Sequence, residues 1–207
     1  MGAVAPGLEE GGVKRLFTMY HDGYEEYSRF REVTWPAMVE FGRLHSYEVV
    51  EWQWDGVGPV PGWGKLPALI GALESGCAAA LWVDADVLIR GGGDVLWLLA
   101  ENGRGKCMAM PYDARHTPPV VCCFWLVLRP ALPFLRAVWA QRDWPHHPAG
   151  ETKALHRTLR AFPQWMRRVH VLDDAWLGPE GQPGRLVHAD YNAGNVEERV
   201  QLLRAYQ

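Results

Sequence analysis

The chain has 207 residues, 48% of them hydrophobic, and a formal net charge of −3; at roughly 100–200 residues per domain this suits one domain with a sizeable core. Lysine and arginine are interspersed with aspartate and glutamate, which leaves no basic face of the kind nucleic acid requires. No run approaches the ~20 apolar residues of a membrane span, and the opening "MGAVAPGLEEGG" lacks the charged start and apolar stretch of a signal peptide, so the expectation is a soluble, cytoplasmic protein with residues 1–12 flexible.

The first strand is read at "VKRLFTMY" (Val13 to Tyr20), which is β-branched and aromatic-rich. A helix is expected across Tyr24 to His45, interrupted near Pro36, because proline removes an amide donor and crowds the preceding turn. "YEVVEWQW" reads as the second strand, and the Gly/Pro-rich "DGVGPVPGWG" (Asp55 to Gly64) as a loop. Leu66, Leu69, Ile70 and Leu73 follow helical spacing, with Pro67 in the first turn and Gly76 just past the end. Further strands are "AALWVD", "KCMAM", "VVCCFWLVLR", "RVHVL" and "RLVH", and further helices span Leu132 to Gln141 and Glu151 to Phe162. The last helix opens "NVEE", where Asn195 caps and Glu198 completes a capping box ahead of a Val196, Val200, Leu203 stripe. Alternation of strand and helix predicts an α/β fold: a single Rossmann-like domain over 1–207, a mostly parallel central sheet flanked by helices, and a C-terminal loop and helix over 189–207. Cys77, Cys107, Cys122 and Cys123 form no CxxC pair and read as buried free thiols.

In such sheets ligands sit outside the carboxyl ends of the strands, and there "AALWVDADVLI" places Asp84 and Asp86. If the strand continues, its period of two turns both carboxylates to one side, where they repel unless a cation neutralises them. Mg²⁺, Ca²⁺ or Mn²⁺ suits such oxygen ligands and leaves coordination positions free for substrate phosphates. The competing reading is a solvated strand end or a turn cap. On the repulsion argument, replacing either aspartate by alanine is expected to abolish metal-dependent binding with little loss of fold. "RLVH" ends a strand at His188, so this imidazole is expected at the same kind of exit as a third metal ligand, which shifts preference from Mg²⁺ toward Mn²⁺. Its alternative is a histidine capping the sheet edge in solvent.

The stretch "WGKLPALIGALESGCAAALWVDADVLI" (Trp63 to Ile89) resembles the GT-A-type glycosyltransferases, most closely the galactosyl- and xylosyltransferase group, in which a Lys-bearing helix leads into an apolar strand ending in WxDxDxxI. "CCFWLVLRPALPFLRAVWAQ", "GETKALHRTL", "RVHVLDDAW" and "RLVH" resemble later segments of that group, so the similarity runs from about Arg15 to His188. The resemblance implies transfer of a sugar from a nucleotide diphosphate donor, a UDP-hexose or UDP-pentose, to an acceptor hydroxyl on a carbohydrate or small molecule. It also implies retention of configuration, with Mn²⁺ (or Mg²⁺) bridging the DxD and the diphosphate. Lys65 then adds positive charge near the phosphates, the alternative being a solvated lysine. Tyr20 and the following "HDGY" are expected to receive the nucleotide base, because the first strand-to-helix loop is where such sheets usually take nucleotides, the alternative being an ordinary loop. Glu151, opening a helix, orients the sugar or stabilises developing positive charge. The chain departs from the group at Cys122 and Cys123, where the group has Asn-Thr-Gly, and at Glu151 and Thr152, where it has an acidic-Gln pair.

Of eleven tryptophans, Trp82 and Trp139 are expected in the core, whereas Trp63 and Trp176 are candidates for stacking against an acceptor sugar. His146 and His147 are assigned to a solvent loop. Two rival functions stay open. "WVDADVLI" also fits the signature of haloacid-dehalogenase-like phosphatases, in which the first aspartate is a nucleophile and "LDD" (Leu172 to Asp174) poses as the late acidic pair; those enzymes place the motif on the first strand. A non-catalytic carbohydrate-binding domain would use the same metal and aromatic residues without turnover.

Overall fold

The computed structural model describes residues 12–20, 25–54, 61–91, 93–102, 105–142, 150–173, 176, 185–189 and 195–207. Among them, β1 (Lys14–Thr18), β2 (Glu48–Glu51), β3 (Ala79–Val83), β5 (Met108–Pro111), β6 (Phe124–Leu128) and β7 (Val169–Leu172) form a six-stranded sheet in the order β2–β1–β3–β6–β5–β7. β1 pairs in parallel with β2 and β3, and β5 with β7; β6 runs antiparallel between β3 and β5. The reversal has a local cause. Parallel neighbours need a crossover element, and residues 112–123 between β5 and β6 contain none, only a loop pinned by a bridge from Tyr112 to Val120. β3 and β6 are buried along their whole length, which is why both read as unbroken apolar runs.

Two helical groups cover this frame. α2 (Lys65–Glu74) packs on β3 and β1, α4 (Leu132–Trp139) on α2, and α5 (Gly150–Ala161) on α4. Elsewhere α1 (Glu25–His45) packs on α6 (Val196–Arg204) and on β4 (Val87–Ile89), which pairs with β8 (Leu186–His188) in a small antiparallel ribbon. Phe30, Val33, Leu88, Val187, Val200 and Leu203 seal this second group around a core of its own. α2 stops as read: Gly76 adopts φ +95°, its N–H reaches the Leu73 carbonyl, and the Cys77 N–H reaches Ala72. The Asn195 and Glu198 capping box is present at α6.

Three readings need correction. α1 runs unbroken through Pro36. An interior proline costs about 3 kcal/mol or more, but Phe30, Val33, Met38 and Phe41 on this helix are buried and each contributes roughly 1.5–3 kcal/mol, so packing prevails. Second, β4 and α3 (Val95–Asn102) were not foreseen. α3 is apolar nearly all round and hides its period, although Asp94 announces it by accepting the Leu96 N–H at 3.0 Å. Third, of "VVCCFWLVLR" only Phe124–Leu128 is strand; Cys122 and Cys123 precede it in a bend.

Candidate active site

β3 delivers its C-terminal end into a turn rather than into more strand. The Asp84 N–H donates to the Cys123 carbonyl at 2.8 Å and the Val87 N–H to the Asp84 carbonyl at 3.0 Å, closing a turn over Asp84–Val87. The two carboxylates therefore converge through a turn and not, as expected, through the alternation of a continuing strand. Immediately after the turn, β4 pairs Val87 with His188 of β8, and the Ala189 N–H donates to the Asp86 carbonyl at 2.9 Å. This ribbon carries His188 to the aspartates: its Nε2 lies 3.7 Å from Asp86 Oδ1. Asp84, Asp86 and His188 each offer one ligand atom, and these atoms lie within 4.8 Å of one another. Metal–oxygen distances near 2.1 Å put adjacent octahedral ligands about 3 Å apart, so the donor set fits a divalent cation after a small contraction.

Each aspartate already has a buried cation of its own. Asp84 accepts the Trp82 indole N–H at 2.5 Å and faces the Lys65 ammonium at 3.1 Å; Asp86 is paired with the Arg199 guanidinium. The side chains of Lys65 and Arg199 are each only 3% exposed. Lys65 is thus no solvated lysine. Its Nζ also lies 3.4 Å from Glu151 Oε1 and 3.6 Å from Cys122 Sγ, so it joins the DxD turn to the first turn of α5. Burial alone pushes its pKa down, but Asp84, Cys122 and Glu151 together outweigh this and hold it well above the ordinary value. For Asp86, burial pushes the carboxyl pKa up and Asp84 adds to the rise, against the pull of His188 and Arg199. The expectation that an alanine at 84 or 86 merely relieves repulsion is overturned, because either change takes a paired carboxylate away from a buried cation.

Glu151 sits where an acid is favoured, in the first turn of a helix, and accepts from Thr152 Oγ1 at 3.3 Å. Two glycines let it approach: a Cβ on Gly62 would stand 3.0 Å from Glu151 Oε2, and one on Gly150 would stand 2.7 Å from Trp63 Nε1. Cys122, 3.3 Å from Thr152 Oγ1, lines the same junction. Burial pushes its thiol pKa up against the pull of Lys65, and all four cysteines are free and buried, as read. Leaving His188 aside, Lys65 and Arg199 against Asp84, Asp86 and Glu151 leave the site one net negative charge. A diphosphate would meet repulsion there unless a cation accompanied it.

Other assignments shift. Tyr20 is fully enclosed, with its hydroxyl 2.8 Å from Thr34 Oγ1 and its ring edge-on to Trp35, so the ring offers no face to a base. The four residues after it, and His146 and His147, lie outside the described residues. Trp63 and Trp176 are no acceptor platforms: they are 2% and 3% exposed and pack on Trp139 and Phe124. Arg199 and the Trp82 indole were missed. Trp82 was legible, since a residue two before Asp84 on a strand shares its side; Arg199, on a distant helix, had no local signal.

No family model matches the chain, and no curated protein sequence matches it. Among solved structures, a glycosyltransferase involved in glycosylation of the major capsid of PBCV-1 matches with TM-score 0.67 at 16% identity, over 93% of this chain and 99% of that one. Mouse xyloside xylosyltransferase 1 in its apo form matches with TM-score 0.55 at 11% identity, over 88% of this chain and 100% of that one. The glycosyltransferase GlyE of Streptococcus pneumoniae TIGR4 matches with TM-score 0.57 at 11% identity, over 94% of this chain and 60% of that one. The likeness is one of fold: the chain has the GT-A architecture. Among the described residues, no helix is long and apolar enough to cross a membrane.

Proposed function

We propose that the protein is a metal-dependent glycosyltransferase that moves a sugar from a nucleotide diphosphate donor, a UDP-hexose or UDP-pentose, to an acceptor hydroxyl with retention. The observation that carries this reading is the meeting of Asp84, Asp86 and His188 at the carboxyl end of β3, one buried lysine away from Glu151. A divalent ion held by the three ligands would neutralise the diphosphate leaving group as a Lewis acid. The chain's own residues do the rest. Trp82 and Lys65 fix Asp84, while Lys65 ties Glu151 to the same frame, so both carboxylates keep their orientation as charge develops. Lys65 acts as a positioning residue here, too enclosed to touch phosphate itself. Glu151 faces the sugar and stabilises positive charge at its reacting carbon. The base is assigned to the exit of β1, where the enclosed Tyr20 ring offers it no face. Retention and the UDP base are carried by the likeness to galactosyl- and xylosyltransferases.

The test is a thermal-shift series of nucleotide sugars with and without Mn²⁺, since a ligand bound only by the native state raises stability by RT ln(1 + [L]/Kd). A shift that requires both donor and Mn²⁺, with nucleoside diphosphate released on incubation, is the expected result. A donor shift independent of metal would refute the proposal. Donor binding without release would indicate a carbohydrate-binding domain, and phosphate release from a phosphomonoester a phosphatase.

A further inference from the structure

The C-terminal helix supplies the site with a charge that nothing in the motif announces. Arg199 donates from Nε to the Ala189 carbonyl at 2.7 Å, pairs through Nη2 with Asp86 Oδ2, and rests over the Phe30 ring at 4.9 Å. Its position is set by packing, because Val200 and Leu203 beside it are buried and the capping box fixes the start of the helix. One guanidinium thus joins the DxD turn to the chain just after His188. Lys65 is shared between Asp84 and Glu151, whereas among the carboxylates of the site Arg199 serves Asp86.

Resting on the metal-dependent reading above, we propose that Arg199 is the resident counter-cation of Asp86, a positioning residue that keeps the site assembled without metal and makes metal loading conditional on diphosphate. Arg199 occupies Oδ2 of Asp86 and leaves Oδ1 turned toward His188. A divalent cation entering on the Oδ1 side meets a guanidinium held by the same carboxylate, and like charges so close oppose its binding. An anionic diphosphate arriving with the cation restores the balance. Without Arg199 the site holds two net negative charges instead of one and takes the bare cation readily.

The experiment measures Mn²⁺ binding, by the electron paramagnetic resonance of the free ion, with and without UDP, in the parent, Arg199→Gln, Arg199→Lys and Val200→Ala. Even with the screening of bulk water, one unit charge a few ångströms from a dication changes affinity by about tenfold. Arg199→Gln is therefore expected to bind Mn²⁺ alone at least about tenfold more tightly than the parent and to gain less from UDP. Arg199→Lys keeps the charge and the parent's affinities. Val200→Ala loses stability in the same helix without moving metal affinity. Should Arg199→Gln unfold in chelator, Mn²⁺ must restore its thermal transition, and failure to do so at any concentration overturns the inference. So does a folded Arg199→Gln that binds Mn²⁺ no more tightly than the parent. A parent that takes up no Mn²⁺ with or without UDP removes the metal-dependent reading itself.

Discussion

Replacing Lys65 by methionine keeps most of the side chain's volume and removes only its charge. In the parent that charge stands 3.1 Å from Asp84, 3.4 Å from Glu151 and 3.6 Å from the Cys122 sulfur, on a side chain 3% exposed. Loss of one partner from a buried ion pair costs about 3–5 kcal/mol, because the remaining carboxylates stay desolvated without compensation. For a chain of 207 residues the entropy of unfolding is about 0.4 kcal/mol per kelvin, so Tm falls by roughly 7–12 °C. A solvated lysine would cost under about 1 kcal/mol, or ~2 °C. Differential scanning calorimetry of parent and variant separates the two. Folding raises the ammonium pKa, so its stabilisation is complete below the unfolded lysine value of about 10.4 and is lost only as pH climbs through the higher folded value. The gap between parent and variant is therefore flat through neutral pH and narrows only in strong alkali. Adding Glu151→Gln to the variant recovers part of the loss by removing one of the stranded carboxylates. A single variant melting within about 2 °C of the parent would refute the clamp.

Gly150→Ala forces a Cβ to 2.7 Å from Trp63 Nε1, an overpacking worth about 1–3 kcal/mol, whereas Gly71→Ala in α2 meets nothing within 4 Å and raises stability by about 0.5–1 kcal/mol. Chemical denaturation with fixed m-values checks both signs, and equal effects would refute the close-approach argument. His156 is buried, its Nε2 2.7 Å from the Val120 carbonyl. Burial depresses its pKa, and neighbouring His116 and Arg160 add to this against the Val120 bond and Asp113. The unfolded chain therefore binds the extra proton, so stability is full above about pH 6.5 and falls as pH drops below it. His156→Gln should flatten that acid limb in urea melts at several pH values, and an unchanged limb would assign the dependence elsewhere.

What was legible in the sequence follows from the range of the forces involved. β3, α2 and the capping box of α6 announce themselves because apolar period, a C-terminal glycine and an Asx cap are local. The exits at Asp84 and His188 were legible for the same reason, since both end apolar strands, although the turn that follows Asp84 was not. What stayed hidden is long-range: the antiparallel insertion of β6, the pairing of β4 with β8, and the 113-residue separation between Asp86 and Arg199. Lys65 lies between these cases. Its place at the head of α2 could be read, but its burial could not, because the groups that enclose it come from the DxD turn, the bend before β6 and α5. Trp63 and Trp176 misled for a related reason: a tryptophan beside Gly/Pro-rich sequence looks exposed until the packing of Trp139 and Phe124 is known.

The two buried cations also explain how the fold tolerates its own site. Two neighbouring carboxylates with no cation but a dissociable metal would tie folding to metal occupancy, as in small domains whose binding free energy is their folding free energy. Here Lys65 and Arg199 neutralise Asp84 and Asp86 from within the chain, and each does so from a helix held by apolar packing: α2 through Leu66, Leu69 and Leu73, α6 through Val200 and Leu203. The cost of desolvating those charges is therefore met by elements that fold for other reasons, and the ligand geometry exists before any ligand arrives. Such preorganisation is what a site needs if its binding free energy is to act on the donor rather than on ordering its own residues. It also fixes what each cation can do next. Lys65, enclosed by three partners, transmits position, whereas Arg199 holds one oxygen of a carboxylate whose other oxygen faces His188, which is the placement that the proposed control of cation affinity requires.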